Sequence, residues 1–114
     1  MNQGVKTILY PVRDIAQAKA LFIALLGVAP FVENPNYVAF MVGDQQIGLV
    51  PGGHSNGMTG PVPQYHVDDL RATLQSLLDA GAQLQQDVRD VGGGKLSASV
   101  NDIDGNPIGL IQMP

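Results

Sequence analysis

Val12-Arg13-Asp14-Ile15 and, 55 positions later, Val67-Asp68-Asp69-Leu70 decide how this chain is read. Each closes an apolar run and opens a helical one. Upstream of the first, Val5 to Val12 is rich in β-branched and aromatic residues and predicts a strand. Asp14 then offers an N-cap, with Gln17 in capping-box position. Ile15, Ala18, Leu21, Phe22, Leu25 and Leu26 follow at helical spacing, and Gly27 supplies a stop. The second stretch repeats this grammar. Val62 to Val67 predicts a strand, and Asp68 or Asp69 caps a helix carrying Leu70, Leu74, Leu77 and Leu78 before Gly81. The two stop glycines lie one residue out of the 55-residue register, which requires a small insertion or deletion.

Working outward, each helix is followed by three short strand patterns. In the first half they are Phe31–Glu33, Tyr37–Val42 and Gln46–Val50, with Asn34-Pro35-Asn36 and Gly43-Asp44-Gln45 as turns. In the second they are Gln83–Val91, Lys95–Asn101 and Ile108–Gln112, with Gly92-Gly93-Gly94 as a turn. Both halves read βαβββ, and a repeated supersecondary unit is a strong organisational signal. The expected layout is a single domain over 1–114, with module 1 at about 4–51, a glycine-rich surface linker at about 52–60 and module 2 at about 61–114.

Composition narrows the function classes. The chain has 114 residues, 45% hydrophobic and only 14% charged, which favours a homodimer or a large apolar-walled cavity. Its net charge is −4, and its six Lys and Arg residues are never clustered, so nucleic acid and anionic membranes are poor partners. The absence of cysteine removes disulfides, thiolate nucleophiles and sulfur-ligated metals. The N-terminus shows no signal-peptide pattern, and the longest apolar stretch, Ala20 to Pro30, is broken by Gly27 and too short to span a bilayer. A cytoplasmic location is expected.

The doubled βαβββ order, with Asp102-Ile103-Asp104-Gly105-Asn106-Pro107-Ile108 ahead of the last strand, resembles the vicinal oxygen chelate superfamily. That superfamily includes glyoxalase I, bleomycin-resistance proteins and extradiol dioxygenases. The resemblance runs from Val5 to Gln112. It implies an α+β fold: two βαβββ modules forming a curved mixed sheet around a concave cavity, with the helices on the outer face. It also implies four metal-ligand positions on the first and last strands of each half, usually held by His, Gln or Glu. Matched strand by strand, those positions are Thr7, Gly48, Val62 and Gly109. None is a usual ligand for such an ion. A slip in the alignment brings in Gln46 or Gln64 without building a four-ligand set. The chain therefore reads as a metal-ligand-deficient member, with no metal and no cofactor expected.

Strand parity predicts what lines the cavity instead. Thr7, Leu9, Gln46, Gly48, Val62, Gln64, His66, Gly109 and Ile111 share the concave face, joined by Ser97 and Ser99 or else by Leu96 and Ala98. Ile8, Tyr10, Ile47, Leu49, Tyr65, Val67, Ile108 and Leu110 are expected beneath the helices. Aliphatic walls with a few hydroxyl, amide and imidazole groups suit a small, partly apolar ligand. His66 is read as a pocket-rim residue and His54 as a solvated linker residue. His66 as base, with Tyr37 or Tyr65 as acid, is the weaker reading, because no group in the sequence is placed to orient His66. The sequence holds no Ser-His-Asp set or dinucleotide fingerprint, and Gly92-Gly93-Gly94-Lys95 lacks the spacing of a phosphate loop. Three functions remain in view. They are a metal-free small-molecule binding protein, a metal-dependent lyase, isomerase or dioxygenase with unorthodox ligands, and a non-catalytic interaction module.

Overall fold

Asp14 takes an extended conformation and its carboxylate accepts from the Gln17 backbone N–H at 3.0 Å, which starts helix α1 (Ile15–Leu26). The computed structural model describes residues 2–114. Its remaining elements are β1 (Asn2–Val12), β2 (Val32–Asn34), β3 (Tyr37–Val42), β4 (Gln45–Pro51), β5 (Val62–Val67), α2 (Leu70–Asp79), β6 (Gln83–Asp90), β7 (Leu96–Asn101) and β8 (Pro107–Gln112). Each half is βαβββ, so the α+β fold of two repeated modules is as expected.

The chain divides into two units, one spanning Thr7–Val62 and the other residues 63–114 with the β1 residues up to Lys6. In the first, β1 pairs parallel with β4, β4 antiparallel with β3, and β3 antiparallel with β2. Val38, Phe40, Ile47 and Leu49 form its core beneath Ile15, Ala18, Phe22 and Leu26 of α1, with Ile8, Tyr10 and Val12 packed alongside. Phe22 lies between two rings, tilted by 57° against Tyr10 and stacked on Phe40 at 29°. α1 ends at Gly27, whose φ of 72° is the left-handed conformation that a glycine adopts without steric cost.

In the second unit, β5 pairs parallel with β8, β8 antiparallel with β7, and β7 antiparallel with β6. Val67, Ala98, Val100 and Leu110 pack against Leu70 and Leu74 of α2. Asp69, not Asp68, caps this helix, accepting from the Ala72 N–H at 3.1 Å. Leu70 N–H donates to the Gln112 side chain at 2.8 Å, which ties the helix start to the last strand. α2 has 10 residues where α1 has 12, and Ala80 stands between its end and Gly81, so that glycine falls one residue short of the 55-residue register. The β7–β8 connection is held by Asp102. Its carboxylate accepts from the backbone N–H groups of Asp104 and Asn106 and from the Asn106 amide at 2.8–2.9 Å, while Gly105 turns at a φ of 84°.

The stretch expected as a surface linker is ordered. Gly53–Asn56 forms a 3₁₀ turn, closed by the Met58 N–H on the Gly53 carbonyl at 3.0 Å. Gly53 is buried because a Cβ there would lie 2.8 Å from Met58 Sδ and 2.9 Å from Pro11 Cβ. His54, expected to be solvated, has its Nδ1 buried without a hydrogen-bond partner among the described residues. Close packing on the end of β1, invisible in a run of glycines, is the reason. No helix among the described residues is long and apolar enough to cross a membrane.

Leu70 is fully buried, so Leu70→Ala should cost about 2–5 kcal/mol in urea unfolding, against about 1 kcal/mol for the cap substitution Asp69→Ala. The Asn106 amide, followed by backbone N–H groups, holds the Asp102 carboxyl below its ordinary value of 3.8. A depressed carboxyl stabilises the fold above its unfolded value, and that contribution disappears as pH falls through the folded value. The acid-side slope of the urea midpoint should therefore flatten in Asp102→Asn.

Candidate functional site

Helix packing on one face of each half leaves the alternate side chains to the other. In the first unit that face carries Thr7, Leu9 and Pro11 from β1, Gln46, Gly48 and Val50 from β4, and Tyr37 and Ala39 from β3. Leu9 lies opposite Gly48, and Ala39 opposes Gly48 from the other side. In the second unit the face carries Gln64 and His66 from β5, Gly109 and Ile111 from β8, and Ser97 and Ser99 from β7. Gln64 lies opposite Gly109, with Ser99 on its far side. Leu96 and Ala98 pack toward α2, which decides the alternative left open for β7 in favour of the two serines. The register repeats: Leu9, Gly48 and Ala39 in one half match Gln64, Gly109 and Ser99 in the other.

The space in front of each glycine is taken. A Cβ on Gly48 would fall on the Tyr37 hydroxyl and lie 2.7 Å from Leu9 Cδ2. A Cβ on Gly109 would fall on the Gln64 carboxamide. The two positions where the family resemblance places ligands on the last strands are therefore covered by a phenol and an amide from neighbouring strands. Thr7 is buried at 3% exposure and Val62 at 7%. A catalytic divalent ion needs several oxygen or nitrogen donors converging on it. One neutral hydroxyl, one isopropyl group and two glycines do not provide them. Among the described residues no group of three or more His, Asp or Glu is placed to hold a metal. The donor set does not fit the ion that the metal-dependent members use.

The polar groups on these faces have distinct states. Gln46 Nε2 donates to the Tyr37 hydroxyl at 2.9 Å, so the phenol oxygen is engaged as an acceptor while its own proton remains to donate. Burial raises the Tyr37 pKa despite that bond, keeping it a neutral phenol at physiological pH. Gln64 is only 6% exposed, and its carboxamide makes no hydrogen bond among the described residues. Tyr65, the other candidate acid, packs with the core under α2. Tyr37 was absent from the expected lining. Its signal was the alternation of β3, where apolar Val38 and Phe40 leave Tyr37, Ala39 and Met41 on the opposite face.

Burial, then the positive charges of Lys95 and Lys6, lower the His66 pKa from its ordinary 6.5. The unfolded chain takes up this proton first as pH falls. His66 therefore favours the fold above pH 6.5, and that contribution is lost between 6.5 and the folded value. An NMR titration should place the His66 midpoint below 6.5, and Lys95→Gln should move it upward.

The model of the Glyoxalase/Bleomycin resistance protein/Dioxygenase superfamily matches residues 4–110. No curated protein matches the chain. Among solved structures, methylmalonyl-CoA epimerase from Mycobacterium tuberculosis is 19% identical with a TM-score of 0.79, covering 99% of this chain and 89% of that one. A superfamily member from Vibrio splendidus 12B01 is 17% identical with a TM-score of 0.74, covering 99% of this chain and 100% of that one. The Mn(II)-bound glyoxalase from Novosphingobium aromaticivorans is 17% identical with a TM-score of 0.72, covering 98% of this chain and 40% of that one. At these identities the likeness shows the fold alone. The doubled βαβββ topology agrees with a family match running over nearly the whole length, and the chain belongs to the Glyoxalase/Bleomycin resistance protein/Dioxygenase superfamily.

Proposed function

We propose that this protein is a metal-free small-molecule binding protein of the glyoxalase/bleomycin-resistance type. The observation that carries this reading is Gln64, a residue only 6% exposed whose carboxamide lies over Gly109 and makes no hydrogen bond among the described residues, which leaves it open to a ligand. A bound molecule with a matching donor or acceptor would engage that amide directly, a net contribution of about 0.5–1.5 kcal/mol per hydrogen bond. Tyr37 in the other half supports the same reading on its own, since its oxygen accepts from Gln46 and its proton has no acceptor among the described residues. The ligand class that matches is neutral and small, with a carbonyl or hydroxyl group for Gln64 and apolar bulk against Ile111 of the same unit. With 5% aromatic residues and no Trp, stacking on a planar drug is not the recognition mode.

The test is a thermal-shift screen on protein purified without chelator, paired with elemental analysis of the same preparation. A cognate ligand at a hundred times its Kd adds about 2.7 kcal/mol, a rise in Tm on the order of 10 °C. Gln64→Leu keeps the volume and removes the amide, and should weaken that ligand about tenfold. A stoichiometric divalent ion in the wild-type protein would overturn the reading in favour of a metal-dependent lyase, isomerase or dioxygenase. Failure of every compound class to raise Tm would favour a non-catalytic interaction module.

A further inference from the structure

Two rows of side chains cross the open face of the second unit, and they differ in charge. From β5 through β8 and β7 to β6, one row runs Gln64, Gly109, Ser99 and Gln86. The next runs His66, Ile111, Ser97 and Arg89, each residue paired with its neighbour on the adjacent strand. The first row is neutral. The second ends in a guanidinium, and Lys95 lies just ahead of β7, two residues before Ser97. Paired positions are about 5 Å apart, so Arg89 and Ser97 can reach one bound group together. Ile111, 5% exposed, is the floor between Ser97 and His66.

The strand is irregular where it delivers Arg89. From Gln86 to Arg89 β6 advances three residues while β7 advances two, from Ser99 to Ser97, so β6 carries one extra residue. A regular ladder continued from Gln86 would set Val88 opposite Ser97 and turn Arg89 toward α2. With the extra residue, Val88 packs into the core under α2 and Arg89 comes to the other face. Bulges re-aim side chains in this way at the expense of ladder pairing.

The charge brought here has no internal counterpart among the described residues. There the side chains of Arg89 and Lys95 make no ion pair and no hydrogen bond. The carboxylates that flank these positions in sequence bond elsewhere. Asp87 accepts from the Val88 N–H at 2.7 Å, Asp90 from the Gly92 N–H at 2.8 Å and Asp68 from the Gln3 amide at 2.7 Å. Next to burial, the charges of Lys95 and Lys6 are what lower the His66 pKa, so the field along this row is positive.

We infer that Arg89, Ser97 and Lys95, with the His66 imidazole across Ile111, form a binding site for an oxyanion, the carboxylate or phosphate group of a small molecule. Arg89 offers a planar fork that matches two oxygens of either group, Ser97 a hydroxyl donor and Lys95 a mobile point charge. Ser97, Lys95 and His66 are half-buried, so salt screens them less than it would an open surface. The site occupies a different row from Gln64 and does not depend on a neutral ligand binding there.

The experiment is an NMR titration at pH 7 and constant ionic strength, with inorganic phosphate or acetate replacing chloride. The His66 ring and Ser97 amide signals should shift along a saturating curve, half-saturated on the order of 1 mM for two charge-assisted hydrogen bonds. Which of the two anions saturates identifies the group that the site takes. Arg89→Gln and Lys95→Gln should each raise the half-saturation concentration about tenfold. Arg71→Gln removes the same charge from the exposed side of α2 and should leave it unchanged. Neither probe needs Gln64, so a failed titration and a failed screen for a neutral ligand are separate results. The inference is lost if neither anion saturates, or if Arg71→Gln weakens binding as much as Arg89→Gln does.

Discussion

Everything in each half depends on burying one sheet face beneath one helix. Phe40 and Leu49 under α1, and Val100 and Leu110 under α2, are fully excluded from solvent. Side chains alternate along a strand, so a slip of one residue would send all of these to the other face and their polar neighbours into the core. The hydrophobic requirement on one side therefore fixes the register on both. Gly48 is held opposite Leu9, and Gly109 opposite Gln64, because Leu49 and Leu110 have to point at helices.

That constraint changes the meaning of the two glycines. In a superfamily whose metal-dependent members use last-strand side chains as ligands, glycine at both equivalent positions reads as simple loss. In the folded protein neither position is a gap. The Tyr37 phenol and the Gln64 amide stand where a ligand side chain would start, so a substitution that restored a donor at Gly48 or Gly109 would first have to displace them. The polar groups in front of the two glycines come from adjacent strands and are neutral, a phenol and a carboxamide. Neutral groups suit recognition of an uncharged molecule better than they suit holding a divalent ion.

The two helices divide another kind of labour. α2 is an ordinary amphipathic helix, while α1 keeps apolar residues on both sides. A chain with 14% charged residues has few polar side chains to spare, and the distribution of those it has shows which surface is left apolar.

Much of this was legible in the chain as letters. The repeat, both N-caps within one residue, and the strands Tyr37–Val42 and Val62–Val67 to the residue were readable, because capping chemistry and period-two alternation are local. So was the set of residues beneath the helices, from Ile8 and Tyr10 to Ile108 and Leu110. The poverty of Thr7, Gly48, Val62 and Gly109 as donors needed only their identities. What tertiary structure alone decided were the relations that depend on distant residues meeting. Pro11 and Met58 order the glycine-rich turn around buried Gly53, the serines of β7 face away from α2, and Tyr37 and Gln64 fill the space above glycines 11 and 45 residues further along the chain. Periodicity tells a side chain which face to take; only the packed sheet decides which neighbour it meets there.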